Sequence, residues 1–418
     1  MRILHTADWH LGHYLKGQEN HRYDEHDLFL RWLLDTIEDK EIDLLVVAGD
    51  IFDVASPPNR AEEQYYGFLA EVTRTYCKNV VVIGGNHDSP NKLNAPKELF
   101  KYLNIHVVGK VNYNLNGEAI FEDEIIKIYE QGSKQPALIV CAVPFLKDID
   151  LRKYTIGESL TETQQKIKEG IIHHYEQVAQ LATPYKEAQI PILATGHLYA
   201  AGSSTELASE KEIHIGNQGQ VDANKFPQIF DYVALGHIHR SQKIANQNHI
   251  RYSGSPIPLS FSEYNDKKMV LALDINKNGL KEVQEINLPQ EILRPLLRIK
   301  GNLAEIEQKL QTASTQMHKF TPWVEVTVKL KEYESGLDEK VRQLGKQYQA
   351  AILKVGTEYE QGINNNGLGI AQNQSLDEIN EIDVFKQKCK NENIEIENEK
   401  YKEVLEAFYL LLEEVKTS

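Results

Sequence analysis

Five times in the first 240 residues an apolar, β-rich run stops and gives way to a short polar cluster. Residues 1–7 lead into Asp8-Trp9-His10, and 44–48 into Gly49-Asp50. Residues 80–83 lead into Gly84-Gly85-Asn86-His87-Asp88, and 191–195 into Gly196-His197. Residues 232–235 lead into Gly236-His237-Ile238-His239-Arg240. Continuous apolar runs suit strands covered on both faces. Apolar residues at helical spacing over 28–37 and 61–76 place helices between them. That alternation predicts an α/β layered fold, in which ligands gather beyond the carboxyl ends of the strands. All five clusters sit at that end. Gly49, Gly85, Gly196 and Gly236 each directly precede a candidate ligand, where a missing Cβ lets the backbone come close.

Carboxylates and imidazoles at the ends of buried strands are costly unless partnered, and a metal ion suits both. The candidates are Asp8, His10, Asp50, Asn86, His197, His237 and His239. Oxygen and imidazole donors without thiolates suit Mn²⁺, Mg²⁺, Fe or Zn²⁺. Seven ligands exceed the needs of one ion and fit two that share a bridge. The expected division puts Asp8, His10 and His239 on one ion and Asn86, His197 and His237 on the other, with Asp50 between. In an extended segment His237 and His239 point the same way. Two divalent ions against two carboxylates leave the centre cationic, which suits a phosphate ester. His87 follows a ligand directly. It is expected to face the site without binding metal and to stabilise the transition state or protonate the leaving oxygen. Asp88 is expected to orient it. Nine other histidines (His5, His13, His26, His106, His173, His174, His214, His249 and His318) are read as surface or satisfied core residues.

A chain of 418 residues calls for two or three domains. Residues 1–285 form the unit that carries the clusters. Over 286–359 the pattern becomes strand 294–300, helix 304–317, strand 322–330, helix 337–344 and strand 350–355, a small α+β unit. Residues 360–375, rich in Asn, Gln and Gly, read as a linker. Two amphipathic helices close the chain within 376–418. Tyr401, Val404, Leu405, Phe408, Leu411, Leu412 and Val415 make one stripe, which docks either on the chain's own body or on a partner. No apolar run approaches the roughly 20 residues a membrane span needs. Three cysteines are too few for a disulfide framework, so a cytoplasmic setting is expected. A net charge of −15 argues against a surface that is basic all over. The sequence has no Gly-rich Lys-Ser/Thr phosphate loop, so ATP dependence would belong to another subunit.

Together these motifs resemble the calcineurin-like metallophosphoesterase superfamily. "ILHTADWHLG", "VAGDIFDVASPP", "GGNHDSP", "ATGHL", "ALGHIHR" and "RYSGSPIPLSF" are similar to the SbcD family, the nuclease subunits of bacterial SbcCD double-strand-break repair complexes. The resemblance implies a two-sheet α/β/β/α sandwich followed by a small DNA-capping domain. It implies two divalent ions, Mn²⁺ ahead of Mg²⁺. The implied activity is 3′ to 5′ exonuclease on duplex ends and endonuclease on hairpins and single strands. The implied partner is an SbcC-type coiled-coil ATPase, contacted by the terminal helices, with the chain self-associating to a homodimer within a two-plus-two complex. Archaeal members carry a second catalytic histidine three residues after the bridging Asp, where this chain has Asp53. Phosphate contacts normally need cations; His21, Arg22, Lys92, Arg240, Lys243 and Arg251 lie near the motifs. A phosphatase or cyclic-nucleotide phosphodiesterase of the superfamily would carry the same motifs, but the extra domain and terminal helices favour the nuclease. A non-catalytic scaffold for the ATPase is disfavoured, since every proposed ligand is present.

Overall fold

The computed structural model describes residues 1–15, 20–130, 132–152, 159–201, 221–315, 319–331 and 334–359, and Phe408. The expected linker at 360–375 and, Phe408 apart, the terminal helices at 376–418 lie outside the described residues.

The first half alternates as the sequence predicts: β1 (Arg2–Thr6), α1 (Tyr23–Asp39), β2 (Leu44–Ala48), α2 (Asn59–Val72), β3 (Asn79–Ile83) and β4 (Ile105–Val108). These four strands pair in parallel. Next come β5 (Ile125–Tyr129), β6 (Pro136–Cys141), the long helix α3 (Leu160–Glu187) and β7 (Ile192–His197). A two-residue pair follows, β8 (Ala200–Ala201) with β9 (Val221–Asp222). The unit ends with β10 (Tyr232–Gly236), β11 (Gln242–Ile244), β12 (Gln247–Tyr252), β13 (Met269–Asn276) and β14 (Gly279–Asn287). Two six-stranded sheets result, ordered β14-β13-β1-β2-β3-β4 and β11-β12-β10-β7-β6-β5. The first is closed by β13, which returns antiparallel against β1.

Period-two alternation assigns each strand's side chains to different layers. Leu45 and Val47 of β2 join Leu4, Val80 and Val82 against Phe29, Leu33, Tyr65 and Phe68 of α1 and α2. Leu44, Val46 and Ala48 face the other way, into a core shared with Leu193, Tyr232 and Ala234 of the second sheet. That sheet's far side, through Ile139, Ala194 and Val233, packs on Ile167, Ile171, Tyr175 and Val178 of α3. The arrangement is an α/β/β/α sandwich. It places the carboxyl ends of β1, β2 and β3 beside those of β7 and β10. Among the described residues no helix is long and apolar enough to cross a membrane.

The small unit is a parallel sheet of β15 (Leu296–Gly301), β16 (Trp323–Leu330) and β17 (Ala351–Tyr359). Helices α4 (Leu303–Ser314) and α5 (Leu337–Gln347) lie between the strands in sequence and pack on the sheet. Asn302 caps α4: its side chain accepts from Glu305 N at 3.0 Å, and Glu305 accepts from Asn302 N at 3.0 Å. The boundary expected at residue 285 falls inside β14, where Asn287 still pairs with Met269. Leu288 and Leu293 pack into the first core, so the small unit begins after them.

Leu15 and Phe261 of the large unit meet Leu296 and Trp323 of the small one. Beside them Glu25, fully buried, faces two arginines. Arg22 Nε donates to it at 2.8 Å and Arg294 Nε at 3.2 Å. Both guanidinium groups lie over the Trp323 ring, at 5.3 and 4.3 Å. Removing one partner of a buried ion pair leaves an uncompensated charge. Glu25→Gln is therefore expected to cost about 3–5 kcal/mol, read as a lower urea midpoint.

Candidate metal centre

The loops leaving β1, β2 and β10 are held in an uncommon backbone conformation. Asp8, His10, Asp50 and His237 have positive φ values of 53°, 46°, 49° and 101°. L-residues enter that region at a cost of about 1–3 kcal/mol each, and such strain collects at functional sites. Here it is fixed by hydrogen bonds across the loops. Asp8 N donates to Gly49 O and His10 N to Asp50 O, both at 3.0 Å. His237 N donates to Asp8 Oδ1 at 2.8 Å, and His87 N to Asp50 Oδ1 at 2.9 Å. Gly85 is required by close approach, since a Cβ there would land on the Asp50 carboxylate. Asp88 does not orient His87 as expected. Its carboxylate accepts from Gly85 N, Ile51 N and Phe52 N at 2.8, 3.1 and 2.9 Å. Adjacency in sequence put it beside His87, but the strand end turns its side chain to the neighbouring loop, which it clamps.

The side chains converge on Asp50. Its Oδ2 lies 3.5 Å from His10 Nε2 and 3.2 Å from His197 Nε2. Asp8 joins from the His197 side, with Oδ1 3.8 Å from His197 Nδ1. Asn86 Oδ1 sits 2.9 Å from His197 Nε2 and 3.1 Å from His237 Nδ1. The His197 and His237 rings are 5.1 Å apart, as are those of His10 and His239. His87 stands over His10, ring centres 4.8 Å apart. Its Nδ1 donates to Asp53 O at 2.7 Å. Asp50 thus belongs to two potential ion-binding groups, one with His10 and His87 and one with Asp8 and His197.

The electrostatics call for cations. Asp8 is fully buried, and burial pushes its carboxyl up to about 6. Burial pushes His10 down to about 4. Burial also opposes charge on His197, but Asp50 and Asp8 outweigh it and raise that imidazole to about 9. The two buried carboxylates thus favour positive charge on the imidazole between them. Asp8 Oδ2 and His10 Nε2 are buried without a hydrogen-bond partner. Orphaned donor atoms of this kind, one in each of the two groups that share Asp50 and without any thiolate, fit a divalent metal.

Sequence reasoning passed over the residues behind the ligands. Glu263 accepts from His239 Nδ1 at 3.4 Å and is neutralised by buried Lys268, whose Nζ lies 2.5 Å from it. His13, read as an ordinary satisfied histidine, is satisfied by Asp53 of the site itself. The signal that could have found Glu263 and Lys268 is weak: they are two of four charged residues, with Asp266 and Lys267, in the stretch after β12.

The expected phosphate contacts fare unevenly. Arg22 is fully buried, held by Glu25 and by Pro258 O at 2.5 Å. Arg251 is buried against Glu285 and Asn248. Neither can reach a phosphate. Cations are usually surface residues, but the neighbouring Glu25 and the distant Pro258 carbonyl draw Arg22 inside, and Glu285 pairs with Arg251 from 34 residues away. Arg240 is half-buried and paired with Asp266 at 2.9 Å, and Lys92 with Glu62 at 2.5 Å. His21 is exposed, stacked on Tyr23 at 4.8 Å, and Lys243 is exposed.

Residues 1–241 match the family model described as calcineurin-like phosphoesterase, and 292–393 the one described as Type 5 capsule protein repressor C-terminal domain. Fold, centre and match define a metal-dependent phosphodiester hydrolase of the calcineurin-like class. The SbcD subunit of nuclease SbcCD from Escherichia coli strain K12 is 34% identical over 398 residues, 94% of each chain. The SbcD subunit of Bacillus subtilis strain 168 is 32% identical over 336 residues, 79% of each. That of Rhodobacter capsulatus is 33% identical over 304 residues, 72% of this chain and 71% of its own. The chain belongs to the SbcD family of nuclease subunits.

Proposed function

We propose that this protein cleaves DNA phosphodiesters as the nuclease subunit of an SbcCD-type complex. It takes Mn²⁺ ahead of Mg²⁺ and acts in the cytoplasm in replication, recombination and repair. The activity is ATP-dependent 3′ to 5′ exonuclease on duplex ends and endonuclease on hairpins and single strands. An SbcC-type coiled-coil ATPase supplies the ATP dependence, in a two-plus-two complex built on a homodimer. The observation that supports the reading best is the Asp50 carboxylate, set between the His10 and His197 imidazoles with His87 beside it.

In this reading Asp8, His10 and His239 hold one ion, Asn86, His197 and His237 the other, and Asp50 both. Bound there, the ions supply Lewis acidity and a water acidified toward neutrality. The chain's own residues do the rest. Asn86 offers its carbonyl oxygen without adding negative charge, so the centre stays attractive to a phosphate. The Asp53 carbonyl accepts the Nδ1 proton of His87 and orients the ring, so the proton that His87 would deliver is the second one, carried on Nε2 by the imidazolium form. From there His87 stabilises charge on the phosphoryl oxygens and protonates the departing one.

Full-length protein with Mn²⁺, the partner ATPase and ATP, offered a labelled DNA hairpin beside a small phosphodiester, tests this. Cleaved hairpin is expected. Turnover of the small ester with DNA intact would return the chain to the small-substrate branch of its class. Deletion from Leu376 onward is expected to abolish capture of the ATPase while sparing Mn²⁺-dependent nicking. A deletion variant that still binds the ATPase would mean that those helices dock on their own body.

A further inference from the structure

Three residues beyond Asp50, one side chain touches more of the centre than any single ligand needs. Asp53 Oδ1 accepts from His10 Nδ1 at 3.2 Å and from His13 Nδ1 at 2.8 Å. The same residue's carbonyl accepts from His87 Nδ1 at 2.7 Å. His13 spans from this carboxylate to Leu259 O, 2.9 Å from its Nε2. Asp53 and His13 are mostly buried, 19% and 17% exposed. Rotation of either is blocked by partners on both sides.

The consequence for His10 follows from imidazole chemistry. A neutral ring has one N–H, and a carboxylate at Nδ1 keeps it there. The lone pair is then on Nε2, the atom buried without a hydrogen-bond partner 3.5 Å from Asp50 Oδ2. A carboxylate behind a ligating histidine fixes ring orientation and raises its basicity. Through its carbonyl Asp53 also sets the tautomer of His87. We propose that Asp53, braced by His13, is a positioning residue that sets a metal-binding imidazole and the substrate-facing imidazole together. The proposal rests on the two-ion reading above and assigns no contact between Asp53 and substrate.

The test uses the full-length protein, stripped with chelator and titrated calorimetrically with Mn²⁺ alone, alongside hairpin cleavage at saturating Mn²⁺. Wild type is expected to show two binding steps; its failure to do so would sink the two-ion reading itself, before Asp53 is tested. Asp53→Ala is expected to weaken one step about 10–100-fold and leave the other within about threefold. At saturating metal its kcat and KM are expected to stay close to wild type, because the carbonyl that holds His87 belongs to the backbone and survives the substitution. Asp53→Asn keeps an acceptor oxygen for His10 and is expected to recover part of the lost affinity; it also carries the test if the alanine variant does not fold. His13→Ala is expected to weaken the same step by a smaller factor. Wild-type affinity for both ions in Asp53→Ala, or in Asp53→Asn if that variant alone folds, overturns the proposal. So does an equal loss at both steps accompanied by a lower melting temperature of the metal-free protein, the mark of a merely structural residue.

Discussion

Replacing His87 by Gln is expected to lower DNA cleavage about 10²–10⁴-fold, the usual contribution of a positioned acid or base. Glutamine reaches as far as histidine and its amide can still donate toward the Asp53 carbonyl, so the loop need not move. What it lacks is an imidazole ring that can give up and take back a proton. His87 N is anchored to Asp50 Oδ1 by its backbone, and that bond survives the substitution. Two-step Mn²⁺ binding by calorimetry and capture of the partner ATPase are therefore expected to match wild type. Cleavage at the wild-type rate would remove His87 from the chemistry.

Asp50→Asn has the larger expected effect. The substitution keeps an oxygen to accept from His87 N, so shape is preserved and charge alone is lost. That charge faces His10 on one side and His197 on the other. Both Mn²⁺ steps are expected to weaken by more than the roughly 10–100-fold typical of residues behind the ligands, and cleavage to fall below detection. A ligand present at a hundred times its dissociation constant stabilises a fold by about 2.7 kcal/mol. In wild type, added Mn²⁺ should raise the melting temperature accordingly; in Asp50→Asn the rise should vanish. Loss of only one step would show that Asp50 serves a single ion.

The ligand positions were legible because burial and polarity conflict there. A strand such as Leu44–Ala48 has every residue buried, and a chain that ends it in Gly-Asp announces a site. The small unit was legible for a simpler reason: its strands and helices alternate cleanly, and Asn302 with Glu305 marks a helix start. The stretch between residues 100 and 190 was not. The strand Ile105–Val108 is only four residues long, and Ile125–Tyr129 is an edge strand with mixed exposure, so neither has a pattern of its own. The contacts behind the ligands were illegible for another reason. Asp53 meets His13 across 40 residues, and His13 meets Leu259 across 246. No local spacing encodes such a pair. The same holds for Arg22 and Arg251, whose burial depends on the Pro258 carbonyl, 236 residues away, and on Glu285, 34 residues away.

The return of the strand Met269–Asn276 against the first strand has a consequence for how the enzyme is made. Arg2 to His5 pair with Asp274 to Leu271, and the N-terminal amine donates to Ile275 O at 2.9 Å. During translation the first strand waits for its antiparallel neighbour until some 270 residues of chain have been added. The centre, meanwhile, draws ligands from loops of both sheets. A chain that stops before His237 therefore lacks donors as well as the returning strand, and one that stops later but before Met269 lacks the strand alone. Sheet and donor set are both complete only in the later part of synthesis.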